Sequence, residues 1–191
     1  MTAHALMYVD RPAFYRFVAN ADDRHRYEWV RGWIMERQAG GARRHGRVGA
    51  GFIRVLGECL DLGTWAVSTA DRFIHMPATT RYADALVERI DTATDDSIQT
   101  DQPVLLVEVL SPSSEERDLS VKSSEYLALA SLNTYIVASQ DAVLCYVWQR
   151  RPDGTSADEP AKVAGRDAVI QVPGLSIAIP LGDVDEGIGI A

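Results

Sequence analysis

The chain has 191 residues, of which 47% are hydrophobic and 24% are charged, and its formal net charge at pH 7 is −8. This length suits one domain with a proper core, and no low-complexity stretch divides it, so we predict a single domain over residues 1–191. No apolar run approaches the roughly 18 residues of a membrane span, and the first residues lack a secretory pattern, which predicts a soluble cytoplasmic protein with no membrane partner.

The cysteines and histidines argue against a zinc site or a disulfide framework. Cys59 and Cys145 are the two cysteines and form no CxxC pair, and the four histidines show no HxxxH spacing. Any metal ion in this protein is therefore expected to have oxygen ligands.

The positive charge is distributed unevenly along the chain. Residues 11–54 contain ten Arg, no Lys and four acidic residues, a local charge of +6, so the remainder must carry −14 to reach the total of −8. An acidic total argues against a nucleic-acid partner, but this asymmetry allows one basic surface on an acidic protein. The alternative is a solvated surface that binds no ligand.

The predicted elements begin with a helix that Asp10 caps and that ends near Asn20, because Pro12 and an apolar stripe follow the cap. A hairpin is predicted over residues 26–38, and apolar residues at helical spacing predict a second helix between His45 and Asp61. Within that helix, Gly49-Ala50-Gly51 either weakens it or marks close approach to another element.

Strands dominate the rest of the chain. The later predicted strands cover residues 64–69, 71–76, 82–88, 103–110, 134–138 and 142–149, with a helix over residues 116–131 and short strands in the tail. This order of elements predicts an α/β or α+β domain with a mixed central sheet flanked by helices.

Two acidic residues interrupt apolar strands. Glu108 lies in VLLVEVL, which has the pattern of a strand buried on both faces, and Asp84 lies in YADALV. A carboxylate in such a strand must be protonated, be paired or hold a cation, because its desolvation otherwise costs several kcal/mol. If the two strands are neighbours, the carboxylates can converge on Mg²⁺, although each could also be an edge residue or an ion-pair partner.

Lys122 is the third candidate. Of the 19 basic residues, only Lys122 and Lys162 are Lys, so this chain takes its general positive charge from Arg. Lys122 follows the strand of Glu108, on a helix face shared with Tyr126, and a lysine can orient a water or stabilise a phosphorane. The alternative is an exposed pair with Asp118, which is a plausible cap or first-turn acid of that helix.

The segments RYEWVRG, RRHGRV, YADALV, LLVEVLSPSSEERDLSVKSSEY and TYIVA, taken together, resemble the Uma-two family, whose members belong to the PD-(D/E)XK nuclease superfamily. The resemblance covers roughly residues 10–185. It implies a restriction-endonuclease-like core in which Asp84 and Glu108 bind Mg²⁺, with Mn²⁺ as a substitute, and Lys122 assists the attacking water. Glu28 matches an early glutamate of the family and is expected to support the site.

The same resemblance implies a DNA substrate. Within the Arg-rich segment, Arg43, Arg44, His45 and Arg47 are expected to hold its backbone phosphates. In the simplest superfamily pattern the lysine lies two residues after the acid on the same strand. Here that position is Leu110, so Lys122 is expected to act from the following helix.

Three functions remain open from the sequence. The first is a Mg²⁺-dependent DNA endonuclease, for which cutting both strands would favour a homodimer. The second is a catalytically silent domain that keeps the fold for binding DNA or protein. The third is a sugar-cleaving enzyme with Asp84 and Glu108 as acid and base, which would explain neither Lys122 nor the Arg-rich segment.

Overall fold

The structure, a computed structural model, describes residues 4–22, 25–38, 42–92, 94, 96–110 and 117–189, with positions 4, 5, 37, 38, 117 and 118 described through their backbone alone. Within these ranges two six-stranded sheets and a two-stranded sheet combine with four α-helices, so the fold is mixed α+β. No helix in the same ranges is long and apolar enough to cross a membrane.

The helices are short apart from the second. They are α1 Arg11–Val18, α2 Arg43–Cys59, α3 Ser123–Leu127 and α4 Leu181–Val184, with a π-helix at Arg117–Lys122 and 3-10 turns at Ile90–Thr92 and Pro173–Leu175. Asp10 caps α1, as predicted, and its Oδ1 accepts a hydrogen bond of 2.8 Å from the Ala13 N–H. Helix α2 buries Val48, Phe52, Val55 and Leu56, the apolar stripe that predicted it.

The strands are β1 His4–Tyr8, β2 His25–Val30, β3 Trp33–Gln38, β4 Trp65–Thr69, β5 Phe73–His75, β6 Thr79–Arg81, β7 Ala85–Arg89, β8 Gln99–Thr100, β9 Leu105–Leu110, β10 Thr134–Ser139, β11 Leu144–Gln149, β12 Ala161–Ala164, β13 Val169–Val172 and β14 Ile177–Pro180. The first sheet has the order β1-β3-β2-β6-β5-β8, and the second has the order β12-β11-β10-β9-β7-β4. Each contains one parallel pair, β5 with β8 and β9 with β10.

Strand β9 lies inside the second sheet and is buried along its whole length. Leu105, Val107 and Val109 join the core on one face, where α2 packs. Leu106 and Leu110 join the core on the other face, together with Tyr126 of α3. This alternation places Glu108 on the α3 face, and the predicted strand buried on both sides is confirmed.

Two element predictions need correction. The predicted strand over 82–88 begins only at Ala85, as β7, and Tyr82, Ala83 and Asp84 connect it to β6, so Asp84 precedes its strand. The predicted helix over 116–131 is a π-helix followed by five residues of α-helix. The beginning of that helix, the turn at 111–114 and the Asp118 side chain lie outside the described residues.

Candidate active site

Asp84 directly precedes β7, and β7 pairs with β9, the strand that carries Glu108. β7 pairs with β9 in antiparallel register, with Ala85 opposite Val107, and continuing this register by one residue places Asp84 opposite Glu108. Side chains at directly opposite positions share a face of the sheet, with Cβ atoms about 4.5 to 5.5 Å apart. Asp84 Oδ2 accepts the Val109 N–H at 2.7 Å, so the Asp84 carboxylate reaches the backbone of the residue that follows Glu108.

The Glu108 carboxylate has two donors from the following helical segment. Only 5% of Glu108 is exposed, and its Oε1 accepts from Lys122 Nζ at 2.7 Å and from the Tyr126 hydroxyl at 3.1 Å. Lys122 is equally buried. Because the two groups are buried together, each charge stabilises the other. A buried charge without a partner would instead carry its full desolvation cost.

Tyr126 also connects Glu108 to the segment that carries Asp84. Its hydroxyl lies 3.0 Å from the carbonyl oxygen of Tyr82, two residues before Asp84. Burial, followed by the negative charge of Glu108, raises the pKa of Tyr126 well above its usual range. The phenol therefore remains a hydrogen-bond donor at neutral pH. The sequence placed Tyr126 on the Lys122 face of a helix, but no role was assigned to it.

The π-helix directs Lys122 toward the sheet. π-helical turns are rare and occur frequently at functional sites. At its end the Ser123 hydroxyl lies 3.0 Å from the carbonyl oxygen of Leu119 and 2.8 Å from that of Ser120, so it satisfies carbonyl groups within the helical turn. The chain returns to α-helical geometry at Ser123, with Lys122 already oriented toward Glu108.

The predicted supporting residue Glu28 belongs to a buried ion network. Arg81 donates to Glu28 at 2.8 Å and to Glu125 at 2.5 and 3.1 Å, and both Arg81 and Glu28 are 3% exposed. Burial lowers the pKa of Arg81, but the two carboxylates more than offset that effect and raise it overall. Arg81 and Glu125 were not predicted, because no local pattern shows that a charged residue in this segment is buried.

His45, which was expected to contact DNA, lies against Asp84. It lies in the first turn of α2, and its Nε2 is 3.5 Å from Asp84 Oδ2, which also accepts the Val109 N–H at 2.7 Å. About a quarter of each side chain is exposed. The neighbouring Arg43, Arg44 and Arg47 line a cleft of about 390 Å³.

Several other arginines of the basic segment are occupied elsewhere. Arg11 lies over the Trp29 ring at 4.5 Å, and Arg26 pairs with Asp71 at 2.9 Å. Arg54 pairs with Glu58 at 3.0 Å on its own helix. Arg43, Arg44 and Arg47 differ from these in lying together along one cleft at the start of α2.

The donor set fits Mg²⁺ with few protein ligands. In the described part of the chain, no group of three or more His, Cys, Asp or Glu side chains is arranged to hold a metal ion. Asp84 and Glu108 supply two carboxylates, and Mg²⁺ is commonly bound by one or two carboxylates while water and substrate phosphate complete its shell. Asp84 and Glu108 would hold the ion beside the Lys122 ammonium.

Comparison with known proteins agrees with this fold. A crystal structure described as a "putative nuclease belonging to DUF820" from Anabaena variabilis ATCC 29413 superimposes with a TM-score of 0.68 and 13% identity, over 90% of this chain and 96% of that one. This similarity confirms the predicted restriction-endonuclease-like fold class. No curated protein matches the chain significantly. The profile of the Uma2 family, described as "Putative restriction endonuclease", matches residues 11–181, and the chain therefore belongs to the Uma2 family.

Proposed function

We propose that this protein is a Mg²⁺-dependent endonuclease that hydrolyses DNA phosphodiester bonds. The observation that carries the proposal is the pairing of β7 with β9, which sets Asp84 opposite Glu108 with Lys122 at 2.7 Å from the second acid. Family membership supports a nuclease function. A domain with only a structural role has no physical need for these three groups together.

In this mechanism Asp84 and Glu108 would hold the metal ion, with Mn²⁺ able to take the place of Mg²⁺. When bound, the ion supplies Lewis acidity and neutralises charge at the phosphoryl oxygens. Lys122 orients the attacking water and stabilises the negative charge that develops on the phosphoryl oxygens. Glu108 keeps the Lys122 ammonium in a fixed position, and Tyr126 does the same for the Glu108 carboxylate. Arg81 fixes the positions of Glu28 and Glu125.

The first test is calorimetric titration with Mg²⁺ and Mn²⁺. We expect micromolar to millimolar binding by the wild-type protein and none by the Asp84→Asn/Glu108→Gln double variant. The control, Asp158→Asn/Glu159→Gln, removes the same charge from exposed positions and should bind as the wild type does. Thermal unfolding of each variant shows whether the fold persists. Equal binding by the double variant and the control would contradict this metal site.

The second test is cleavage of supercoiled plasmid DNA. We expect nicked or linear product with the wild type and the control, and none with Asp84→Asn, Glu108→Gln or Lys122→Met. Omission of divalent metal should abolish cleavage, and Mn²⁺ should restore it. Cleavage by Lys122→Met at the wild-type rate would eliminate the role given to that residue.

A second candidate is a catalytically silent domain that binds DNA or protein. It is favoured by Glu108 Oε1 already accepting from Lys122 and Tyr126, and by the lack of a three-residue metal group among the described positions. This candidate predicts DNA binding without metal-dependent cleavage. Binding by the wild type that persists with no cleavage in Mg²⁺ or Mn²⁺ would select it.

We propose a homodimer as the active form, because two sites related by a two-fold axis can cut both strands of a duplex. Sedimentation velocity with and without a DNA duplex tests this. A dimer in either condition supports the proposal, and a monomer with one protein per duplex contradicts it.

A cytoplasmic location fits the free state of Cys59 and Cys145 in the structure, because reduced thiols are the rule in the cytoplasm.

A further inference from the structure

Two exposed aromatic side chains lie together at one end of the first sheet. Tyr8 is 68% exposed and Trp33 is 46% exposed. Their ring centroids are 5.3 Å apart in an edge-on arrangement, and the two residues are directly opposite each other in the pairing of β1 with β3. Large aromatic rings are usually buried, so two of them side by side in solvent indicate a binding surface. We call Tyr8 and Trp33 the aromatic pair.

The turn between β2 and β3 holds the aromatic pair in place. The Tyr8 ring lies directly over Gly32, where an added Cβ would overlap the ring. The Gly32 carbonyl accepts the Val9 N–H at 2.7 Å, and the Trp29 indole N–H donates to the Val9 carbonyl at 2.9 Å. The residue that follows Tyr8 is thus fixed on both sides. The rings are therefore oriented before a ligand arrives, which lowers the entropic cost of binding.

Arg31 is an independent indication of a ligand at this turn. Arg31 and Gly32 are the two residues between β2 and β3, and their φ angles are 50° and 95°. Positive φ at both positions is the mark of a type I′ turn, in which Asn is favoured before Gly and a long side chain is unfavourable. The Arg31 side chain is exposed, and within the described part of the chain it has no ion pair. Backbone strain beneath a free cation suggests a functional role for that cation.

The aromatic pair lies on the sheet face that carries the candidate active site. Trp33 is opposite Val30 in the pairing of β3 with β2, and Val30 is opposite Thr79 in the pairing of β2 with β6. Directly opposite residues share a face of the sheet. Two strand spacings, about 10 Å, separate Trp33 from Thr79. Since the Thr79 hydroxyl donates to Glu125 of α3 at 3.3 Å, a ligand on the aromatic pair lies beside the helix that follows Lys122.

The chemistry of this surface fits a nucleobase beside a phosphate. Aromatic rings stack on the bases of single strands with little regard to sequence, and nearby cations bind the backbone. An apolar protein partner would instead need aliphatic residues on the same face. Of the exposed aliphatic residues of β1, Met7 pairs with Ile34 and so faces the opposite side, and Leu6 lies at a bulge. Asp10, the acid nearest to Tyr8 in sequence, is engaged in capping α1.

We infer that the aromatic pair stacks on an unpaired base of the DNA substrate and that Arg31 contacts a phosphate of the same strand. The inference rests on the DNA substrate of the proposed function. It adds that the bound DNA contains a single-stranded segment, which runs along the face of the first sheet between the aromatic pair and α3.

The test compares two labelled oligonucleotides by fluorescence anisotropy without divalent metal, so that cleavage is neither required nor allowed. One is a single strand of thymidines, and the other has the same phosphates with abasic sites in place of the bases. The wild type should bind the first at least about fivefold more tightly, the lower limit for stacking of one base. Tyr8→Leu/Trp33→Leu should abolish this preference. Tyr8→Phe/Trp33→Phe, which keeps both rings, should stay within about threefold of wild type. Thermal unfolding shows that each variant is folded.

Arg31→Asn should change stability and binding in opposite directions. It should raise the melting temperature, because Asn is preferred at this position of a type I′ turn. It should weaken binding of both oligonucleotides and lower the slope of log Kd against log salt by about 0.7, the change for one phosphate contact of a single strand. The control, Arg151→Asn, removes the same charge from another exposed position and should bind within about twofold of wild type. A purely structural role for Arg31 would instead lower the stability of its variant and leave binding unchanged.

Three results would overturn the inference. The first is a wild-type protein that binds the two oligonucleotides equally or binds neither of them. The second is a leucine double variant that binds as the phenylalanine double variant does. If this leucine variant has also lost a homodimer in sedimentation velocity, the surface belongs to a second copy of the chain. The third is an Arg31→Asn variant that binds as Arg151→Asn does.

The inference and the proposed function fail separately. Base-dependent binding with these responses but without cleavage of any DNA would leave the inference intact and refute only the proposed hydrolysis. Metal-dependent cleavage by a protein whose leucine double variant binds normally would refute only the inference.

Discussion

Glu108 shows how a charged residue is accommodated in an otherwise apolar strand. Its Oε1 accepts from Lys122 and Tyr126, and all three side chains are buried. The arrangement stabilises the carboxylate only while both donors are present, because a buried charge without its partner carries its full desolvation cost. Lys122 and Tyr126 are therefore required both for the proposed chemistry of the site and for the stability of the folded protein.

Lys122→Met is expected to lower the free energy of unfolding by about 3 to 5 kcal/mol, the usual effect of removing one partner of a buried ion pair. Combining it with Glu108→Gln should recover much of this loss, since no unpaired charge remains. Urea unfolding measures both effects. The exposed Lys162→Met is the control and should change stability by about 0.5 kcal/mol or less. Equal stability of the two lysine variants would refute the ion pair.

Tyr126→Phe should lower stability at pH 7 by about 0.5 to 1.5 kcal/mol, because it removes a buried hydrogen bond. The difference should narrow above the ordinary tyrosine range of about pH 10. The pKa of Tyr126 is raised in the folded state, so the unfolded chain releases its proton first and wild-type stability falls as pH rises. Denaturant titrations from pH 7 to 11 test this, with the exposed Tyr8→Phe as control. A difference that widens with pH would contradict the assignment.

At this scale the sequence predicted Asp84, Glu108 and Lys122 as a group, because each breaks a local pattern. Acids interrupt apolar strands, and Lys122 is one of two lysines in an arginine-rich chain. Arg81 does not interrupt a local pattern in this way. Its burial depends on contacts with Glu28 and Glu125, two residues that are distant from it in sequence. Long-range pairing of this kind is not visible in a single sequence.

At the scale of elements, the periodicity of apolar residues identified α2 and the buried strand β9. It did not show where one helix or strand ends and the next begins. β1 was missed because its residues lack alternation and several are exposed, as are Leu6, Met7 and Tyr8. The π-helix was read as α-helix because apolar spacing cannot distinguish the two over one turn. The division of the strands into two sheets depends on which strands pair with each other, and periodicity does not specify these partners.

Two glycines of α2 are expected to respond in opposite directions to alanine. A Cβ at Gly51 would lie far inside van der Waals contact with the Val184 carbonyl oxygen, whereas a Cβ at Gly57 would meet no heavy atom within 4 Å. Gly51→Ala should therefore destabilise the protein by about 1 to 3 kcal/mol through overpacking. Gly57→Ala should stabilise it by up to about 1 kcal/mol through helix propensity. Thermal unfolding distinguishes them, and equal shifts would refute the close approach of α2 to α4.

At the scale of the whole molecule, the two faces of the second sheet carry separate cores. Cys145 lies in the core beneath α2, and Trp148, on the same strand, lies in the core beneath α3. Burial raises the pKa of the Cys145 thiol to about 12, which keeps it unreactive in the folded state. The exposed Cys59 has no such protection from solvent.

If the chain is a single domain, both cores must unfold together. We expect the reaction of Cys145 with a thiol reagent in a Cys59→Ser variant to show the same urea midpoint as tryptophan fluorescence and circular dichroism. Cys145→Ser, which leaves Cys59 free, should react without urea. A thiol midpoint clearly below the other two would show that the core beneath α2 opens independently.

The register of β7 and β9 also determines where the chain can change in length. Glu108 is aligned with Asp84 by cross-strand pairing, so an insertion in the connection between Arg89 and Leu105 leaves that alignment unchanged. Deletion of one residue of β9 before Glu108 would turn every following side chain to the opposite face and bring Val109 to the position of Glu108. A reporter peptide can therefore be introduced into the part of the connection outside β8, whereas β9 itself tolerates no change in length.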